Sequence, residues 1–210
     1  MLHKFLTPAL IVVAMLGLSA CGTPFDVSRN TTLNMITPPV EAPTQDWSIT
    51  ALDIAVPRSL SVSEANSIRP FADIVWRGDA YGDRYAQVET ILSDALAPVL
   101  LSRVGGSTPV VVSLTLSRFH AVTERARYTI GGVHDIEFAL TVRHAETGEI
   151  LSGPRQVELA FRALGGQAAM AAEAQGITQT VRITEYLQDW ARAEFPAPFV
   201  DMLSVAALQN

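Results

Sequence analysis

The chain has 210 residues, 49% of them hydrophobic and 17% charged, and a formal net charge of −6. That length leaves room for one domain of ordinary size with appendages, and the composition is that of a soluble globular core. An acidic chain is poorly matched to nucleic acid, whose phosphates favour a basic face, and no motif implies a cofactor.

The first expected element is an export signal over residues 1–20. Lys4 supplies the positive charge, FLTPALIVVAMLGL is an apolar run too short to span a membrane and stay, and LSAC follows directly. An ordinary signal peptide with a chance cysteine and an N-terminal membrane helix are the alternatives. Leu18-Ser19-Ala20-Cys21 resembles the lipobox of bacterial lipoproteins in all four positions, and Cys21 is the only cysteine. The resemblance implies cleavage before Cys21, a diacylglycerol on its sulfur and a further acyl chain (palmitate) on its amine. One acyl chain holds a protein only marginally, at roughly 0.8 kcal/mol per buried CH₂, whereas two or three make release negligible. Gly22 stands where an aspartate commonly retains such proteins in the inner membrane, so the expected location is the periplasmic face of the outer membrane. With Cys21 consumed, no thiol is left for a disulfide. Lys4 leaves with the signal, so no lysine remains to act as a base or phosphate contact, and 14 arginines face 21 acidic residues.

Residues 21–46 carry Pro24, Pro38, Pro39 and Pro43 among polar residues, which predicts a tether. As a flexible coil, about 25 residues span on the order of 25–30 Å. From Trp47 the pattern changes. Ile49, then Leu52, Ile54 and Val56 alternate against smaller or polar residues across 48–56, a strand signal, and 60–62 and 72–76 are two further short apolar stretches. Over 84–103, Tyr85, Val88, Leu92, Ala95 and Val99 follow helical spacing, with Pro98 bending or ending the last turn. Beyond Gly105-Gly106, three alternating segments place Val110, Val112, Leu114 and Leu116, then Ile136, Phe138, Leu140 and Val142, then Val157, Leu159 and Phe161 on one face each. Glycine turns between them predict an antiparallel meander with one wet face. Gly165-Gly166 opens a second helix over 167–195, broken or bent at Gly176, with Ile177, Val181, Thr184, Leu187 and Ala191 as its core stripe. The expected fold is therefore α+β over residues 47–195. Its antiparallel sheet is the meander plus one or two N-terminal strands, and two helices pack on one face. Residues 196–210 form an apolar tail.

IVWRGDAYGDRYAQ, residues 74–87, is the most chemically dense stretch. Asp83 precedes the first helical residue, so its carboxylate is read as an N-cap facing the positive end of the helix dipole, and Asp79 as part of the preceding turn. A metal at Asp79 and Asp83 lacks third and fourth ligands; a catalytic carboxylate pair needs one raised pKa in a cleft; Arg77-Gly78-Asp79 also matches the cell-adhesion tripeptide. His120, His134 and His144 lie on or beside the meander strands, with His134 and His144 in the core-facing parity. Hydrogen-bonded histidines are expected there, not a zinc site. Arg118, Arg125 and Arg127 with His120 form a basic spot around a 117–129 loop, read as a solvated hairpin end or as an anion contact. No nucleophile elbow, Ser-x-x-Lys, zinc-protease or P-loop motif occurs.

The lipobox, the Pro-rich tether and WRGD-x-YGDR-x-AQVE entering a helix resemble a family of uncharacterised alphaproteobacterial lipoproteins. More distantly, the order of elements, with Trp76 before the first helix, is similar to PqiC-like auxiliary lipoproteins of ABC-type lipid-transport systems. Neither resemblance brings an established activity; the expected role is a non-enzymatic lipoprotein that docks on an envelope protein partner, with contacts at Trp76, Tyr81, Phe199, Met202 and Leu203. The alternative is a module holding a lipid or small hydrophobic ligand between sheet and helices.

Overall fold

The computed structural model describes residues 46–196. It is a mixed α/β fold: an open five-stranded sheet and four helices. Cys21, Phe199, Met202 and Leu203 lie outside the described residues.

Strand β1 (Trp47–Ala55) runs parallel to β3 (Thr108–His120). The pairing carries a register shift between Ile49 and Ala51, and the extra residue puts Ile49, Leu52 and Ile54 opposite Val110, Val112 and Leu114. The odd spacing 49, 52, 54 in the sequence is the mark of that bulge. Strand β2 (Ile74–Val75) also runs parallel to β3, opposite Phe119 and His120. Both therefore use the same edge of β3, one after the other. The expectation of an antiparallel sheet is corrected here: the sheet is mixed. Alternation reports which face a strand buries but not the direction of its neighbour. Helix α1 (Arg84–Leu100), standing between β1 and β3, supplies the long crossover that a parallel pair requires.

The meander itself is antiparallel: β3 pairs with β4 (Gly132–His144), and β4 with β5 (Ile150–Ala163). Strand order is β1-β3-β4-β5. The segment between β3 and β4 is not the loop expected over 117–129. Residues to His120 continue β3, and a one-turn helix α2 (Glu124–Arg127) follows, capped by the Thr123 hydroxyl, which accepts from the Ala126 N–H.

Helix α1 ends at Leu100, two residues beyond Pro98. The second helical region is two helices, α3 (Gln167–Glu173) and α4 (Gln179–Glu194), separated at Gly176, whose φ is +78°. Thr178 caps α4 anew, and this restart resets its phase. The buried residues of α4 are Gln179, Ile183, Leu187 and Ala191, while Ile177 and Val181 are exposed. The stripe expected from one continuous helix is thus right at Leu187 and Ala191 and wrong before them.

One apolar cluster joins Val110, Val112, Leu114 and Leu116 of β3 and Ile136, Phe138, Leu140 and Val142 of β4 to Val88, Leu92 and Leu96 of α1 and Ile183 and Leu187 of α4. Each such side chain contributes about 1.5–3 kcal/mol through burial. On the alternate parity of the meander, Thr115, Ser117, Gln156, Glu158 and Arg162 are exposed.

Candidate functional site

Trp76 follows β2 directly and is fully buried. Its indole N–H donates to the Asp79 carboxylate at 2.6 Å, and its ring meets Phe119 edge-on at 5.8 Å. A Cβ at Gly78 would run into the indole, so glycine there lets the turn fold back over the ring. Trp76 is therefore a core residue with no exposed surface to offer as the expected partner contact, while Tyr81, at the tip of the turn, is 86% exposed.

Asp83 caps α1 by accepting from the Tyr85 and Ala86 N–H groups. The same carboxylate takes both Nη groups of Arg58, at 3.0 and 2.7 Å, and these bonds hold it below the usual carboxylate value. Arg84, only 4% exposed, donates to both oxygens of Glu64, to the Gln87 side chain and to the Ala80 carbonyl. Glu64 in turn meets Arg77, which reaches Glu124 at the start of α2. The stretch 76–87 is thus a turn tied into a four-charge chain that links the 57–73 segment, α1 and α2.

The basic spot is largely neutralised. Arg118 pairs with Asp135 at 2.7 Å and lies 4.0 Å from Glu137, while Arg127 pairs with Glu173 at 3.2 Å. Of the three arginines, only Arg125 is exposed and outside an ion pair among the described residues. Arg118 and Arg127, expected as anion contacts, thus each hold an internal carboxylate partner. Nor do the histidines converge. His134 is buried, His120 contacts the Pro70 carbonyl at 3.0 Å, and the half-buried His144 accepts from the Glu146 and Thr147 N–H groups in the β4–β5 turn. Among the described residues no three His, Cys, Asp or Glu side chains are grouped to hold a metal ion.

A different site emerges at the end of β3. Ile68, Arg69 and Phe71 on one side, and Ile130 and Val133 on the other, line a groove of about 510 Å³ that also takes in His120 and Asp135. Phe71 is 106% exposed and Ile130 74%. Single exposed apolar residues are ordinary, but several around one concavity mark an interaction surface. The wall that carries Phe71 is pinned. Asp73 accepts from the Ser61 N–H and hydroxyl, and its backbone carbonyl accepts from the Phe119 N–H. The Ser67 carbonyl accepts from Thr123, and Asn66 accepts from the Arg125 N–H. Phe71 is therefore held outward on a rigid segment.

The groove lies far from the described chain ends. Asp46 and Trp47 sit beside Thr108 at the start of β3, and Phe195 packs on Trp47 at 6.3 Å. Twelve residue steps along β3 at ~3.3 Å separate that end from His120, roughly 35–40 Å. None of the groove's apolar residues was expected from the sequence. The available signal was large apolar side chains inside turns, Arg69-Pro70-Phe71 and Thr129-Ile130-Gly131.

The chain belongs to the family of unknown function DUF6778, whose model matches residues 47–207. No curated protein matches it. Among solved structures it is similar to a Xanthomonas campestris protein of family DUF330, at 10% identity and a TM-score of 0.41, covering 78% of this chain and 89% of that one. It is also similar to a PelC dodecamer from Paraburkholderia phytofirmans, at 13% identity and a TM-score of 0.29, over 69% and 88% of the two chains. A minor lipoprotein from Acinetobacter baumannii stands at 13% identity and 0.30, over 69% and 91%. Likenesses at these scores carry no inference about function. Among the described residues, no helix is long and apolar enough to cross a membrane.

Proposed function

We propose that this member of DUF6778 is a lipid-anchored lipoprotein at the periplasmic face of the outer membrane. It acts without catalysis as a docking subunit of an envelope complex, of the kind that PqiC-like proteins form in lipid transport. The lipobox ending in Cys21 supports the anchor. The observation that carries the docking role is Phe71, wholly exposed on a hydrogen-bonded wall at the sheet end remote from Trp47. A chain tethered through residues before Trp47 would present that end to a partner with no contribution from the lipid.

The groove suits an apolar side chain of a protein partner set between Phe71 and Ile130, with Arg69 at the rim. A lipid held between sheet and helices has less support, since that layer is filled by packed side chains of which the central ones are all 7% exposed or less. Chemical crosslinking in whole cells tests the reading: a specific adduct with another envelope protein is expected, and self-adducts alone would count against it. Native mass spectrometry of the unlipidated domain tests the alternative, which requires a co-purifying small molecule.

A further inference from the structure

Behind the groove, where α2, the start of β4, α3 and the start of α4 meet, lies a second and much smaller cavity of about 20 Å³. His134, Arg127 and Gln179 line it, and Val122 lines both this cavity and the groove. His134 Nδ1, Arg127 Nε and Gln179 Oε1 are buried there without a hydrogen-bond partner among the described residues. His134 is 2% exposed and Gln179 6%. Arg127 directs its Nη groups to Glu173 and the Tyr128 hydroxyl, which leaves Nε facing inward. Buried polar atoms are almost always partnered, and three orphans on one small cavity is a pattern that asks for a common partner.

We propose that this cavity is a binding site for one internal water molecule, which accepts from the Arg127 Nε–H, donates to Gln179 Oε1 and takes His134 Nδ1 as its third partner. The volume accommodates a single water, which needs roughly 10–15 Å³ and two to four polar partners. An anion satisfies Arg127 but has no proton to give Gln179 Oε1. A metal cation would face the guanidinium groups of Arg127 and Arg182, and the Glu173 carboxylate that also lines the cavity is already paired with Arg127. Water, with two donors and two acceptors, matches a set that mixes the fixed Arg127 donor with an amide oxygen and an imidazole nitrogen. Burial, with Arg182 and Arg127 nearby, pushes His134 down to about 3, so the ring is neutral and Nδ1 donates or accepts according to its tautomer. Bridging α2, β4 and α4, the water stiffens the wall that Val122 shares with the groove.

A crystal structure of the protein soaked in sodium bromide tests the assignment. The expected result is an oxygen-sized peak within hydrogen-bond distance of all three atoms and no anomalous bromine signal. A bromine signal would make the site an anion site and overturn the proposal. So would three atoms that find protein partners with no density between them. In solution, the wild-type His134 amide should show a nuclear Overhauser cross-peak to long-lived water, lost in Gln179→Leu. Absence of that cross-peak in the wild type, or its persistence at full intensity in a folded Gln179→Leu protein, contradicts the bridge.

Discussion

The indole N–H of Trp76 donates to the carboxylate of Asp79, three residues on, at 2.6 Å. That one bond accounts for the first Gly-Asp pair of the chain's densest stretch: Gly78 lets the turn fold over the ring and Asp79 satisfies its only polar atom. Asp79→Ala should therefore destabilise the domain by about 1–3 kcal/mol, the cost of a buried donor left unpaired. Asp79→Asn, which keeps an acceptor, should cost less. Midpoints of urea unfolding measure both, and equal midpoints for wild type and Asp79→Ala would refute the account of this turn.

Arg84 is the hub of the charge chain, buried and bonded to Glu64, Gln87 and backbone carbonyls. Arg84→Ala strands a carboxylate and several acceptors, so a loss of about 3 kcal/mol is expected, the lower end for a broken buried pair because Glu64 is partly exposed. Arg58→Ala, on the surface pair with Asp83, should move the unfolding midpoint much less. A reversed order of the two variants would show that the network is misassigned.

His134 ties stability to acidity. Its folded value of about 3 lies below the ordinary 6.5, so between those values the unfolded chain binds more protons than the folded one. Stability then rises with pH through this window and levels off above 6.5, with a slope of up to ~1.4 kcal/mol per unit. Lowered carboxyl values at Glu64, Asp73, Asp83 and Glu124 act in the same direction but nearer their own range around 4. Glu137, raised by burial and by Asp135 and Glu158, acts in the opposite direction. Thermal melts from pH 5 to 6.5 isolate the histidine, and a folded His134→Leu variant should lose the slope there. Parallel curves would refute it.

Much of the architecture was legible. Alternation at Val110 to Leu116 and at Ile136 to Val142 marked the meander, Asp83 was readable as a cap, and Gly176 as a break. What the local pattern does not carry is non-local. Whether β1 runs along or against β3 depends on the crossover through α1, not on β1's own residues. Trp76 sits in a polar turn and gives no local sign that the turn closes over it. The phase of α4 depends on how completely Gly176 interrupts the helix. The groove is built from residues 68–71 and 130–133, separated by some sixty positions, and it exists only because β2 and β4 flank the same end of β3.

The anchor has its own test. Labelled palmitate should enter the wild-type protein and not Cys21→Ala, which should leave the membrane fraction. An unlabelled wild type, or a Cys21→Ala protein that still sediments with membranes, would remove the lipoprotein reading while leaving the groove untouched.

Phe71 offers the most direct measurement of the docking claim. Because its ring touches solvent only, replacing it with the photoreactive p-benzoylphenylalanine should change stability by no more than about 0.5 kcal/mol. Irradiated in cells, that protein should form a discrete adduct with another envelope protein, and the same probe at Val181, an exposed position on α4, should not. No adduct from position 71, or identical adducts from both positions, would contradict the groove as the docking surface.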